Sequence, residues 1–255
     1  MLDLVDTHAH LDDQSFDADR SAMFGRASDV GVRRWIVPAI DRGNWETING
    51  LCAAREGAYP AYGLHPLLID SHRDEHLAEL PDWLQCHEAI AVGEIGLDFY
   101  VEGLSPTRQR EVFVRQLEIA RDHDLPVIVH ARRAFEEVIH TLRRFRGLRG
   151  VVHSFSGSEE QARQLFDLGF HLGIGGPVTY DRANRIRRVV ASMPLEWLLL
   201  ETDAPDQPCA HHRGERNEPA FMTDVLDTIA ALREESMEDI AAATTANAAR
   251  LFKLP

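Results

Sequence analysis

Residues 2–13 read LDLVDTHAHLDD, and the architecture of the chain turns on how this stretch folds. Leu2, Leu4 and Val5 suggest a short strand that ends near Thr7. Side chains at i and i+2 of a strand share a face, so His8 and His10 would project side by side from its C-terminal end. Paired imidazoles can hold one divalent cation. Taken alone, the pair fits equally a loop cap beside a solvated histidine, so the rest of the chain has to decide. The unit to look for is a short apolar strand that stops at residues able to take a metal.

That unit recurs. RWIVPAI (34–40), YPAYGL (59–64), AIAVGEIG (89–96), LPVIVH (125–130), GVVHSF (150–155), FHLGIGG (170–176) and WLLLETD (197–203) bring the expected strands to eight. Several are continuous apolar runs, as parallel strands buried on both faces require. Helical patterns lie between them. Residues 105–124 start with Ser105 as N-cap and Pro106 at the first helical position. Residues 158–169 carry Ser158 and Gln161 at capping-box spacing and stop at Gly169. Residues 181–192, 219–233 and 236–251 read as further helices. Eight strand–helix repeats predict a (β/α)8 TIM barrel, with a doubly wound open sheet as the alternative. No linker or shift in composition divides the chain, so 1–255 is read as one domain.

In such a barrel the site forms where the strands end. The expected strands end in His8 and His10, His65, Glu94, His130, His153 and Asp203, while the second and seventh end in apolar residues or glycine. Five of the chain's 13 histidines thus converge on one face with two carboxylates. No cationic side chain stands at the same strand ends to neutralise those carboxylates, and metal ions would supply that charge. Imidazole and carboxylate without thiolate suit zinc, manganese or magnesium. So many donors exceed what one tetrahedral zinc with an open position uses, and they suit two divalent metals with Glu94 as the bridge. The chain's single lysine is Lys253, so a carboxylated lysine cannot bridge metals at the strand ends, nor can a lysine there form a Schiff base.

Composition narrows the setting. The net charge of −14 argues against tight non-specific binding to duplex nucleic acid, which depends on many Lys and Arg contacts. Cys52, Cys86 and Cys209 are odd in number and widely spaced, so neither a disulfide framework nor a zinc knuckle is expected, and a reducing cytoplasm is the natural location. No apolar run reaches membrane-spanning length. Asp3 and Asp6 follow Met1 without a basic or apolar leader, so no signal peptide is expected.

Together the stretches DTHAHLD (6–12), GLHP (63–66), VGEIGLDFY (92–100), LPVIVHARR (125–133), VVHSFSGS (151–158), GIGGPVTY (173–180), LLLETDAP (198–205) and RNEP (216–219) resemble the TatD family of metal-dependent deoxyribonucleases, in family order and over nearly the whole chain. LETDAPDQP and VVHSFSGS resemble its YjjV-like branch. The resemblance implies six metal ligands among those strand-end residues, His8, His10, Glu94, His130, His153 and Asp203, with Glu94 bridging, His8, His10 and Asp203 on one metal and His130 and His153 on the other. It also implies phosphodiester hydrolysis from DNA ends, of the 3'–5' exonuclease type. The chain departs from the family in reading HARR and HSFSG where relatives often have HSRD and HCFSG, and neither change touches a ligand.

Roles follow for the remaining polar residues. A water held between two metals is acidic enough to attack at neutral pH, and Asp203 is the candidate to orient it and accept its proton. His65, Arg132, Arg213, Arg216 and Asn217 are read as substrate contacts, Arg132 as a two-pronged phosphate grip. His211 and His212 read as loop residues, and His171 as a structural residue at the opposite end of the barrel. The expected substrate is a DNA or nucleotide end, single-stranded, and a monomer is expected. The alternative keeps the site and changes the bond: a D-aminoacyl-tRNA deacylase, or another ester or amide hydrolase.

Overall fold

The computed structural model describes residues 2–255. Eight strands follow one another in sequence order around a single parallel sheet: β1 (Leu4–Asp6), β2 (Val32–Pro38), β3 (Ala58–Tyr62), β4 (Ala91–Asp98), β5 (Val127–Arg132), β6 (Gly150–Val152), β7 (Phe170–Ile174) and β8 (Leu198–Leu200). The last strand returns to the first. Thr7 N donates to Leu200 O at 3.0 Å, Asp203 N donates to His8 O at 2.8 Å, and Ala9 bridges Ala204 in parallel. The chain is therefore a (β/α)8 barrel, and the open-sheet alternative is set aside by these closing bonds.

Helices α1 (Arg20–Asp29), α2 (Trp45–Ala54), α3 (Asp74–Cys86), α4 (Pro106–Asp122), α5 (Phe135–Leu142), α6 (Glu159–Asp167), α7 (Asn184–Ser192), α8 (Met222–Leu232) and α9 (Met237–Phe252) surround the strands. The expected caps form: Ser105 Oγ accepts from Arg108 N, and Ser158 and Gln161 satisfy each other's backbone N–H groups. Two helices begin three residues later than expected. Pro219–Phe221 forms a 3-10 turn ahead of α8, and α7 starts at Asn184 rather than at 181.

Two apolar layers hold the barrel. The larger packs the outer faces of the strands against the helices. The smaller is the barrel interior, where Val5, Ile36, Ala61, Ala91, Ile128, Val151 and Leu199 meet Ala248, Leu251 and Phe252 of α9. That helix closes the end opposite the histidines. His171, near the start of β7, lies at that closed end, as the sequence suggested. No helix among the described residues is long and apolar enough to cross a membrane.

Several strands are shorter than their apolar runs. β8 stops at Leu200: Glu201 N still donates to Ile174 O of β7 at 3.1 Å, but the Asp6 carboxylate then accepts from Thr202 N at 3.0 Å and from Thr202 Oγ1 at 2.6 Å. Side-chain bonds of this kind compete with the sheet ladder. Asp203 then turns out of the sheet with a left-handed φ of 59°. His8, His10, His153 and Asp203 sit within four residues beyond the ends of their strands, while Glu94 and His130 lie within β4 and β5.

Candidate metal centre

The six expected ligands converge at the C-terminal mouth around one carboxylate. Glu94 Oε2 faces His8 Nε2 at 3.2 Å and His10 Nε2 at 3.6 Å. Its other oxygen, Oε1, faces His130 Nδ1 at 3.0 Å, His153 Nε2 at 2.7 Å and His65 Nε2 at 2.9 Å. Asp203 Oδ1 approaches His8 Nε2 at 3.5 Å and His10 Nε2 at 3.7 Å. Three overlapping groups of donors have ligand atoms close enough to share a cation: His8 with His10 and Asp203, His8 with Glu94 and His153, and His65 with Glu94 and His130.

Outer partners fix which nitrogen each ring turns inward. His10 Nδ1–H donates to Pro38 O at 3.2 Å, because a carbonyl can only accept. Its inward Nε2 then carries a lone pair. His130 Nε2–H donates to Asp98 Oδ2 at 2.9 Å, which leaves Nδ1 as the inward atom. The inward nitrogens of His8 and His10 lie 3.2 Å apart, and those of His130 and His153 also 3.2 Å apart. Nitrogens facing each other this closely need a shared cation or proton between them. The donor set therefore fits divalent metal, with outer carboxylate and carbonyl partners of the kind that orient metal-binding imidazoles.

Electrostatics agree. Burial by itself would raise the Glu94 carboxyl, yet His153, His65 and His8 around it hold it well below the usual carboxylate range. Burial, reinforced by the His153 charge, holds His8 well below the ordinary imidazole value, so it is neutral and able to donate a lone pair. Burial would likewise lower His153, but the Glu94 charge beside it pushes it up to about 10. Burial raises Asp203 above its ordinary value; His153 and His10 oppose this and Glu94 adds to it. Protons on imidazole thus balance the central carboxylate in the positions where a divalent cation would do so.

Backbone geometry makes the approach possible. A Cβ at Gly96 would fall 2.1 Å from His130 O, so only glycine lets β4 and β5 come this close while Glu94 and Asp98 both reach His130. At Gly173 a Cβ would lie 2.1 Å from Glu201 Oε2, so this glycine leaves room for a buried carboxylate. Of the six non-glycine residues with positive φ among those described, Arg133, Ser154, Asp203 and Gln207 stand at the mouth. Unusual backbone of this kind tends to gather at functional sites.

A cavity of about 760 Å³ opens above the ligands, with His65, Arg132, Phe155, Gln207 and Asp12 among its walls. The expected substrate contacts divide. Arg132 is exposed and lines the cavity. His65 also lines it, and it has a bond to the central carboxylate that the sequence did not show. Leu67 N–H donates to His65 Nδ1 at 3.1 Å, so Nε2 carries the hydrogen and donates to Glu94. His65 positions the central carboxylate. Arg216, read as a substrate contact, is committed elsewhere: its guanidinium donates to both oxygens of Asp19 at 2.7 and 2.9 Å and to Ser15 O at 2.6 Å. Asn217 is buried, and its Nδ2 donates to Thr202 O and Asp206 O, each at 2.8 Å. Arg213 is exposed and lies outside the cavity wall. The sequence reading of Arg216 and Asn217 as substrate contacts is corrected accordingly, and that of Arg213 stays an expectation. His211 and His212 stand in the same loop, with His212 Nδ1 bonded to Glu215 at 2.9 Å.

Three residues the sequence reading passed over belong to the site. Asp98 was visible within VGEIGLDFY: strand alternation puts it on the same face as Glu94. Glu201 was visible two residues before Asp203; it accepts from Ser154 N at 2.5 Å, and burial pushes it up to about 8. Gln207, whose Nε2 donates to Asp203 Oδ2, carried no signal in the sequence.

Comparison with known proteins gives the same picture at the level of the whole chain. The profile described as TatD related DNase matches residues 5–253. An uncharacterized metal-dependent hydrolase, YjjV, of Escherichia coli (strain K12) is 40% identical over 254 residues, covering 98% of this chain and 98% of the relative. The 3'-5' ssDNA/RNA exonuclease TatD of Cronobacter sakazakii is 32% identical over 256 residues, covering 98% of this chain and 97% of the relative. The crystal structure of YjjV, a TatD homolog from E. coli K12, superposes with a TM-score of 0.96 at 39% identity, covering 99% of this chain and 98% of the other.

Proposed function

From the premise that this chain belongs to the TatD family of metal-dependent hydrolases, we propose that it is a two-metal deoxyribonuclease that shortens single-stranded DNA from an end, in the 3'–5' sense. One observation carries the reading: the two oxygens of Glu94 face separate groups of imidazoles. That division suits a carboxylate bridging two cations, with His8, His10 and Asp203 holding one and His130 and His153 the other. Such cations, when bound, would supply a Lewis acid for a phosphoryl oxygen and an acidified water at neutral pH.

The chain's own residues do the rest. Asp203, raised by burial, accepts the proton of the attacking water. Gln207 holds the second oxygen of that carboxylate and fixes its orientation. His65 and Asp98 keep Glu94 and His130 in place. Arg132, on the cavity wall, grips a phosphate oxygen of the substrate. The acidic surface disfavours a long duplex, whereas a strand end needs few phosphate contacts.

The test is a time course of metal-loaded protein on an end-labelled single-stranded oligonucleotide, run beside a D-aminoacyl-tRNA. Ladder-like shortening from the 3' end is expected. Intact DNA with rapid release of the amino acid would overturn the nuclease reading in favour of a deacylase.

A further inference from the structure

The fold hides nearly all of its large apolar side chains. Among the described residues, the exposed exceptions are two neighbours, Tyr100 at 46% and Val101 at 39%. They follow β4 directly, the strand that delivers Glu94 and Asp98. Two guanidinium groups lean on the Tyr100 ring: Arg132 at 3.7 Å from its centroid and Arg133 at 4.6 Å. Both arginines are exposed. Elsewhere in this acidic chain arginines are commonly neutralised by carboxylates, as Arg26, Arg42, Arg108, Arg110 and Arg216 are. Among the described residues no carboxylate pairs with Arg132 or Arg133.

The patch is also held in place. Asp98 Oδ1 accepts from Tyr100 N at 2.8 Å and from Val101 N at 3.2 Å, while its other oxygen accepts from His130. One buried carboxylate thus ties the Tyr100 turn to a candidate metal ligand. Arg132 stands two residues beyond His130 on the same strand and lines the cavity above the metals. Arg132 is therefore common to the patch and to the cavity wall.

Flat π surface, unneutralised cations and continuity with a hydrolytic centre together specify the ligand. A nucleotide offers a planar base and an adjacent anion, whereas an acidic peptide offers the anion without the plane. Bases stack on aromatic rings and on guanidinium planes alike, without regard to sequence. We propose that Tyr100, Arg132 and Arg133 form a nucleobase subsite that stacks an unpaired base of a single-stranded substrate while the neighbouring phosphate enters the cavity. This inference rests on the nuclease reading above and adds to it the place where the strand is held.

Steady-state kinetics of the metal-loaded enzyme test it, using a short single-stranded oligonucleotide and versions with an abasic residue at each terminal position in turn. In the wild type, one abasic position should raise KM about tenfold, the scale of a single base–aromatic stack. Tyr100→Ala should raise KM on the intact strand by a similar factor and lose the further penalty at that position, because the partner is already gone. Tyr100→Phe should keep both the affinity and the penalty. Metal content, measured on every variant, should not change. An abasic penalty that persists undiminished in Tyr100→Ala, or a wild type indifferent to every abasic position, would overturn the subsite while leaving the nuclease reading intact. Failure of the wild type to cleave any oligonucleotide would instead remove the nuclease reading, and the subsite with it.

Discussion

The two sides of the barrel mouth use similar residues for different ends. On the β8 side, the loop after Asp203 is tied down: Asn217 donates to backbone carbonyls on both sides of the turn, and Arg216 is spread across Asp19. On the β4–β5 side, Asp98 anchors the backbone from below, and Arg132 and Arg133 above it have no carboxylate partner among the described residues. Arg132 and Arg216 are the same residue type, and the sequence reads both as substrate contacts. What separates a substrate grip from a structural staple is the partner each already has. Arg216 spends its donors on the protein, while Arg132 leaves them to whatever enters the cavity.

The largest test strikes the residue both sides share. Glu94→Gln should remove most bound metal and lower turnover by more than ~1000-fold, since it takes away the charge between the two groups of imidazoles. Elemental analysis and a rate assay on one preparation check this. Full metal content with normal turnover would remove Glu94 from the centre.

The next test weighs the anchor under the β4–β5 side. Asp98→Asn keeps the shape but loses the charge that orients His130, and metal affinity should fall about 10- to 100-fold. Competition with a chelating dye reads this directly. An unchanged affinity would mean that the His130–Asp98 bond orients nothing of consequence.

The anchor on the β8 side should answer differently. Asn217→Ala leaves buried carbonyls without their donor, at a cost of about 2–3 kcal/mol in folding stability. Denaturant unfolding should show the loss. Metal content per folded molecule should stay the same.

The smallest effects separate the two arginines. Arg132→Ala should raise KM for an oligonucleotide about tenfold, as loss of a charge-assisted phosphate contact does, and leave the melting temperature unchanged. Arg216→Ala should lower the melting temperature and leave KM unchanged. The opposite pattern, KM moving with Arg216 and stability with Arg132, would break the comparison on which these assignments stand.

Much of this was legible before any coordinates. The alternation of apolar runs with capped helices spelled out a barrel because buried parallel strands must be apolar on both faces. Helix starts were readable where a serine side chain alone satisfies the first N–H groups, as at Ser105 and Ser158. The strand ends were harder. β8 stops at Leu200 because Asp6, nearly two hundred residues away, claims Thr202. The candidate ligands were found despite that error, since a strand and the first residues beyond it face the same mouth.

The sequence by itself determined the barrel, the family and the identity of the polar residues that close each strand, because all three are written in local pattern: apolar run, cap, and polar residue at a fixed offset. Only the tertiary structure decided what the residues around them do. It joined His65 to Glu94, brought Asp98 behind His130, and sent Arg216 to Asp19 while leaving Arg132 against Tyr100. The physical reason is that a side chain's role is set by which partners reach it first. Those partners come from strands and loops far apart in the chain, whose spacing no local pattern records.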